Sequence, residues 1–309
     1  MGVVMRRDGP APELPAAAPG AGGPRSESAR IADDLAARTR AVARAAARVD
    51  SDDAGTAVHD LRVALRRLNA ALRLWDDVLI PKPARGARRR IRRMRRELGP
   101  LRELEADAQH LTKHLPELPI ASRVAAEALL DDLMRRSGKA RRRLRSAVGR
   151  KAARAIARRV TRATTGIDER IARHHDPGTP ARNHIAETRG VALRRLGAGI
   201  AAGADDRLHE ARVALKKWRY ALEAAARPDG SAPSLKTLRA LQEALGHAHD
   251  CAMLHGRVER RARRLGEHGL SAEAAALIPL LERIVVEREW YVGQVRGLAP
   301  RVAALATDD

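Results

Sequence analysis

From Ser26 onward, apolar residues recur three and four positions apart, the spacing that gathers them on one side of an α-helix. The pattern predicts helices over roughly 26–49, 54–79, 84–114, 120–147 and 150–174, then over 181–201, 205–227, 234–265 and 271–298. The intervals carry helix-breaking punctuation: Pro81 and Pro83, Pro116 and Pro119, the stretch HHDPGTP at 174–180, and Pro228 to Pro233. Asp52 or Asp53, and Asp205, stand where an N-cap is wanted. No segment shows a convincing strand pattern, so the expected fold class is all-α. Residues 1–24 are rich in Pro, Ala and Gly without periodicity and read as a disordered tail.

The pattern also repeats itself. Residues 58–72 read VHDLRVALRRLNAAL and residues 208–222 read LHEARVALKKWRYAL, an offset of 150 with seven of fifteen positions identical. A second echo follows each copy: LGPLRELEA begins at Leu98 and LGHAHDCAM at Leu245. A period this long does not suit a solenoid. It predicts a duplicated helical bundle, with one half over 25–175 and the other over 176–309.

On a helical wheel the first copy places His59, Arg62, Arg66 and Arg73 within about 60° of one another, opposite Leu61, Leu65, Leu68, Leu72 and Trp75. The second places His209, Arg212, Lys216 and Arg219 within about 80°, opposite Ala211, Leu215, Trp218 and Leu222. Between the echoes of the first half, Arg85, Arg88, Arg89, Arg92 and Arg96 share a face with no acid among them. Solvated helix faces mix signs, because like charges at i,i+4 repel by a few tenths of a kcal/mol per pair. Cations in register therefore point to an anion that offsets the repulsion. For one flexible polyanion to meet both stripes, they must face a common groove.

Composition sharpens this picture. The chain has 309 residues, 60 Lys+Arg against 38 Asp+Glu and a formal net charge of +22, which concentrates anions at its surface. Arginine dominates the basic residues, and its planar fork of donors meets phosphate oxygens two at a time. A histidine heading each stripe can donate to phosphate and gains charge at mildly acid pH. Aromatics are 2% of the chain, with no Phe, so the core must be built of Leu, Val and Ala. Cys251 is the only cysteine, which rules out an internal disulfide and fits a reducing compartment. The N-terminus lacks the apolar stretch of a signal peptide, and there is no run of 18 apolar residues; a cytoplasmic location is expected, with no membrane partner.

The motif H-x-x-R-V-x-x-[RK]-[RK]-x-x-x-A-L, once per half, and the later L-G-x-x-[RH]-[DE] resemble the CHAD family, the conserved-histidine α-helical domains. The resemblance spans about residues 26–300. It implies two four-helix bundles related by a pseudo-twofold, with a basic channel or groove between them. It also implies binding of inorganic polyphosphate, with association to polyphosphate granules in some members. The family's phosphate-contacting positions fall on His59, Arg62 and Arg66, and on His209, Arg212, Lys216 and Arg219. Two positions depart from the family: Asn69 stands where a basic residue is usual, and His249 where a polar partner precedes the acid.

Other constellations are weaker. His247, Cys251 and His255 are spaced i, i+4, i+8, and His110 and His114 are i,i+4 without an evident third ligand; both are read as ordinary polar positions, and no metal site or cofactor is expected. Neither a G-x-x-x-x-G-K-[ST] loop nor a G-x-S-x-G elbow occurs. The E-x-E-x-K strand of the triphosphatase domain fused to some CHAD proteins is absent. The expectation is a non-catalytic polyphosphate binder. The competing readings are a nucleic-acid-binding basic helical protein and an enzyme of phosphate metabolism. Charge alone does not separate the first two, since neutralising phosphates gives salt-sensitive binding to either polymer. Scarce aromatics argue against base stacking, and basic faces without clustered carboxylates argue against metal-assisted catalysis.

Overall fold

The structure, a computed structural model, describes residues 26–49, 54–173, 178–225 and 233–305. The N-terminal tail and the Asp52 or Asp53 cap lie outside the described residues. Every regular element among those described is helical, so the protein is all-α. The order is α1 (Glu27–Arg48), α2 (Ala54–Leu74), α3 (Pro81–His114), α4 (Ile120–Val148), α5 (Arg150–Thr164), α6 (Ile167–Ala172), α7 (Thr179–Ala202), α8 (Asp205–Ala225), α9 (Pro233–Glu267), α10 (Ser271–Ala275) and α11 (Ile278–Ala304). No helix among the described residues is long and apolar enough to cross a membrane.

Each half of the chain runs in the same order. A helix of 22 or 24 residues precedes a motif helix of 21, which precedes a very long helix of 34 or 35. The two motif helices, α2 and α8, pack against each other. Three apolar clusters hold the molecule together. The first joins α1, α2, the start of α3 and α5 around Ile31, Leu65, Leu68 and Ile91, and takes in Ala181 and Ala224 from the second half. The second joins α7, α8, the start of α9 and the end of α11 around Leu215, Trp218 and Val295. The third is shared: the far end of α3 and α4 supply Leu111 and Leu133, while α9 and α11 supply Leu254, Val258 and Ile284. The halves are thus interlocked through common cores.

Several helix ends differ from expectation for local reasons. α3 begins at Pro81, not after Pro83, because proline is tolerated in a first turn whose N–H groups have no helical partner. α2 stops at Leu74, and Asp76–Val78 tightens into a 3-10 turn before α3. The helix expected over 150–174 divides at Gly166, whose φ of 62° is left-handed. Asp205 is the first residue of α8 instead of its cap, and its carboxylate receives Arg288 of α11 at 2.6 Å. α7 and α8 meet closely at Gly199, where a Cβ would lie 3.1 Å from the Arg207 carbonyl.

Candidate functional site

The stripes of α2 and α8 come together in one cleft of about 1540 Å³. His59, Arg62, Arg66 and Arg73 line it from α2; His209, Arg212 and Lys216 line it from α8. α3 adds Arg85, Arg88, Arg89 and Arg92. Each cation stands on a helix whose opposite side is in the core, so the apolar packing of Leu65, Ile91 and Leu215 aims the basic stripes inward.

Two candidate residues stand elsewhere. Arg96 is exposed and outside the lining, and Arg95 takes its place. Nearby, Arg62 reaches over from α2 to donate to the Leu98 carbonyl of α3 at 3.2 Å. Arg219 is the second. It lies 3.5 Å from Glu223 and stacks on Tyr220 at 4.7 Å, in a knot where Glu223 also draws Arg67 at 3.7 Å and Arg239 at 3.9 Å. Arg219 thus serves the packing of α8. Arg88 does both: it lines the cleft but is held by Asp76 at 2.6 Å and donates to the Leu72 carbonyl.

Sequence reasoning passed over Arg95, Lys217 and His184, which line the cleft as well, and kept Arg102 and His249 out of the candidate set. His184 comes from α7, a helix whose sequence bears no basic stripe; only tertiary packing signals it.

The electrostatics of the cleft are those of cations without enough anions. Burial, then Arg66, Arg102 and Arg95, push the Arg62 guanidinium down to about 10. Burial, then Arg212 and Arg66, push Lys216 down to about 7. His249 falls to about 4, through burial, Arg212 and His209. Arg95, Arg212, His59 and His209 are all lowered too, with burial the largest cause of each. The Nε–H groups of Arg66 and Arg212 are buried without a hydrogen-bond partner in the protein. The lining acids are outnumbered by the cations: beside Asp76, Asp77 and Glu187, Asp250 faces Arg212 and Lys216, and Glu103 faces Arg62. Asp107 is spoken for by Arg257. A polyanion laid in this cleft would supply charge-assisted acceptors where the protein supplies donors.

The comparisons with known proteins agree with the helical fold. The CHAD domain family matches residues 33–259. Among solved structures, PptA from Streptomyces chartreusis aligns with a TM-score of 0.63 at 19% identity, covering 88% of this chain and 98% of that one. The CHAD domain from the plant Ricinus communis aligns with a TM-score of 0.54 at 22% identity, covering 91% of each. No curated protein matches the chain.

Proposed function

The chain belongs to the CHAD domain family, and from that premise we propose that its cleft binds inorganic polyphosphate without catalysis. The observation that carries the reading is the convergence of two motif helices on one cleft, where burial first and neighbouring cations second lower Arg62 and Lys216. Linked phosphates present acceptors at short, regular intervals and no bases. An array of Arg, Lys and His is enough to hold them.

One feature favours this polymer over single-stranded nucleic acid. Tyr220 is the aromatic residue of the Phe, Tyr and Trp class in the lining, and it is buried. Arg66 and Arg219 lie against its ring at 5.8 and 4.7 Å. No free face remains there for a base. Trp75 and Trp218 are buried in the cores. Two of the lining carboxylates, Asp76 and Asp107, are engaged by Arg88 and Arg257, and the others stand among the cleft's cations, a setting that disfavours a catalytic metal. A cytoplasmic location and association with polyphosphate granules follow from this reading as part of the proposal.

The test is a titration of the full chain with polyphosphate, short DNA and short RNA in parallel at one ionic strength. The reading expects polyphosphate to bind at least tenfold more tightly than either nucleic acid. Comparable affinity for all three would overturn it.

A further inference from the structure

Just beyond the end of the cleft, one helical turn past Asp107, His110 and His114 stand at i,i+4 on α3. Glu287 of α11 reaches both. Its Oε2 lies 2.7 Å from His110 Nε2 and 3.1 Å from His114 Nε2. Cys251 of α9 brings its Sγ to 3.9 Å from His110 Nε2. One ligand atom from each histidine and from Glu287 falls within 4.8 Å of the others. Both histidines are more than nine-tenths buried, and Cys251 is fully buried.

We propose that His110, His114, Glu287 and Cys251 form a binding site for a zinc-type divalent cation that pins α3 to α9 and α11. The donor set is two imidazoles, a carboxylate and a thiol, which suits a borderline-soft ion that prefers tetrahedral coordination. With bonds of roughly 2.0–2.3 Å, a tetrahedral site has edges of roughly 3.3–3.6 Å. The contacts at 2.7, 3.1 and 3.9 Å need shifts of roughly 0.2–0.6 Å, while the two imidazoles, whose ligand atoms lie within 4.8 Å, must draw together by roughly 1 Å as the ion binds. On binding, the Cys251 thiol gives its proton to solvent and the thiolate takes the ion.

A plain hydrogen-bonded cluster explains the geometry less well. Glu287 pairs with two histidines in a chain full of arginine, while its neighbours Arg283 and Arg288 pair instead with Glu117 and Asp205. His114 Nε2 is buried close to the carboxylate, yet lacks a hydrogen-bond partner, and so does His110 Nδ1. Leu111, Leu254, Leu280 and Ile284 of the shared core wall the group in. An ion here would fix the spacing of α3 and α9, which carry Arg95, Arg102 and His249 into the cleft. The proposal does not depend on what the cleft binds.

The experiment uses the full chain, stripped with chelator, reloaded with zinc and desalted. Metal analysis should find one zinc per chain, and the melting temperature should rise on loading. The His110→Ala/His114→Ala variant should lose zinc affinity by about a hundredfold or more. A control at an exposed histidine, His268→Ala, should keep it. Cobalt loaded in place of zinc should give a thiolate-to-metal charge-transfer band that Cys251→Ser removes. Wild type that retains no stoichiometric ion, or a folded double variant that retains as much as wild type, would overturn the site. Should the double variant fail to fold, the cobalt spectrum of wild type decides: a bound ion without a thiolate band means Cys251 is no ligand and the four-residue site is wrong.

Discussion

His209 of α8 and His249 of α9 face each other in the cleft wall, with ring centroids 4.5 Å apart and Nδ1 atoms 3.3 Å apart. A contact of that kind needs one nitrogen to donate and the other to accept, so it suits two neutral rings and is broken by double protonation. Both groups are lowered, His249 to about 4. Between about pH 6.5 and 4 the unfolded chain therefore binds more protons at His249 than the folded chain does, and stability falls as pH falls through that window. The His249→Asn variant should lose less melting temperature than wild type between pH 6.5 and 4.5. Parallel melting curves of the two proteins across that range would refute the linkage.

Lys216 has the same sign at higher pH. Its folded value of about 7 lies below the ordinary lysine value of 10.5. The unfolded chain binds the extra proton between those limits, so this group's penalty is full below pH 7 and is relieved as pH rises toward 10.5. Lys216→Met should raise the melting temperature at pH 7 and leave it less changed at pH 10.

An anion in the cleft favours the charged form of Lys216, so polyphosphate binding should draw a proton from solvent. Affinity should be higher at pH 6 than at pH 8. Calorimetry in buffers of different ionisation enthalpy should show proton uptake at pH 7.5. Identical heats in all buffers would exclude the coupling, and Lys216→Met should diminish the uptake.

Replacing Arg62, Arg66 and Arg212 together by Ala should weaken polyphosphate binding by more than tenfold. Each charge-assisted hydrogen bond contributes about 1.5–3 kcal/mol, and neighbouring contacts need not add. The remaining affinity should fall less steeply with log salt, because fewer counterions are released. A lower melting temperature with unchanged affinity per folded molecule would make these arginines structural.

Arg257→Ala should behave in the opposite way. Its guanidinium, from α9, pairs with Asp107 of α3, which is 3% exposed and whose carboxyl is raised, chiefly by burial. Losing one partner of a buried pair costs about 3–5 kcal/mol, because the other is left without a counter-charge. Denaturant unfolding should show that loss. A stability change below about 1 kcal/mol would mean that Asp107 simply takes up a proton at no consequence.

What could be read from the chain by itself is what depends on neighbours within a few turns. The 3.6-residue recurrence of Leu and Ala determined the helices, and the same period placed His59, Arg62 and Arg66 on the side of α2 away from Leu61 and Leu65. The repeat marked α2 and α8 as counterparts, and the arginine excess marked an anionic partner. The tertiary structure decided which cations share the cleft. Arg95 lines it and Arg96 does not; Arg219 is withdrawn because Glu223 gathers it with Arg67 and Arg239. It also decided the grouping of His110 with Glu287, 177 positions away, and with Cys251, 141 away. A local period fixes which side of a helix a residue occupies. Which sides meet is set by how the three apolar clusters pack helices from distant parts of the chain, and that information resides in no single stretch of sequence.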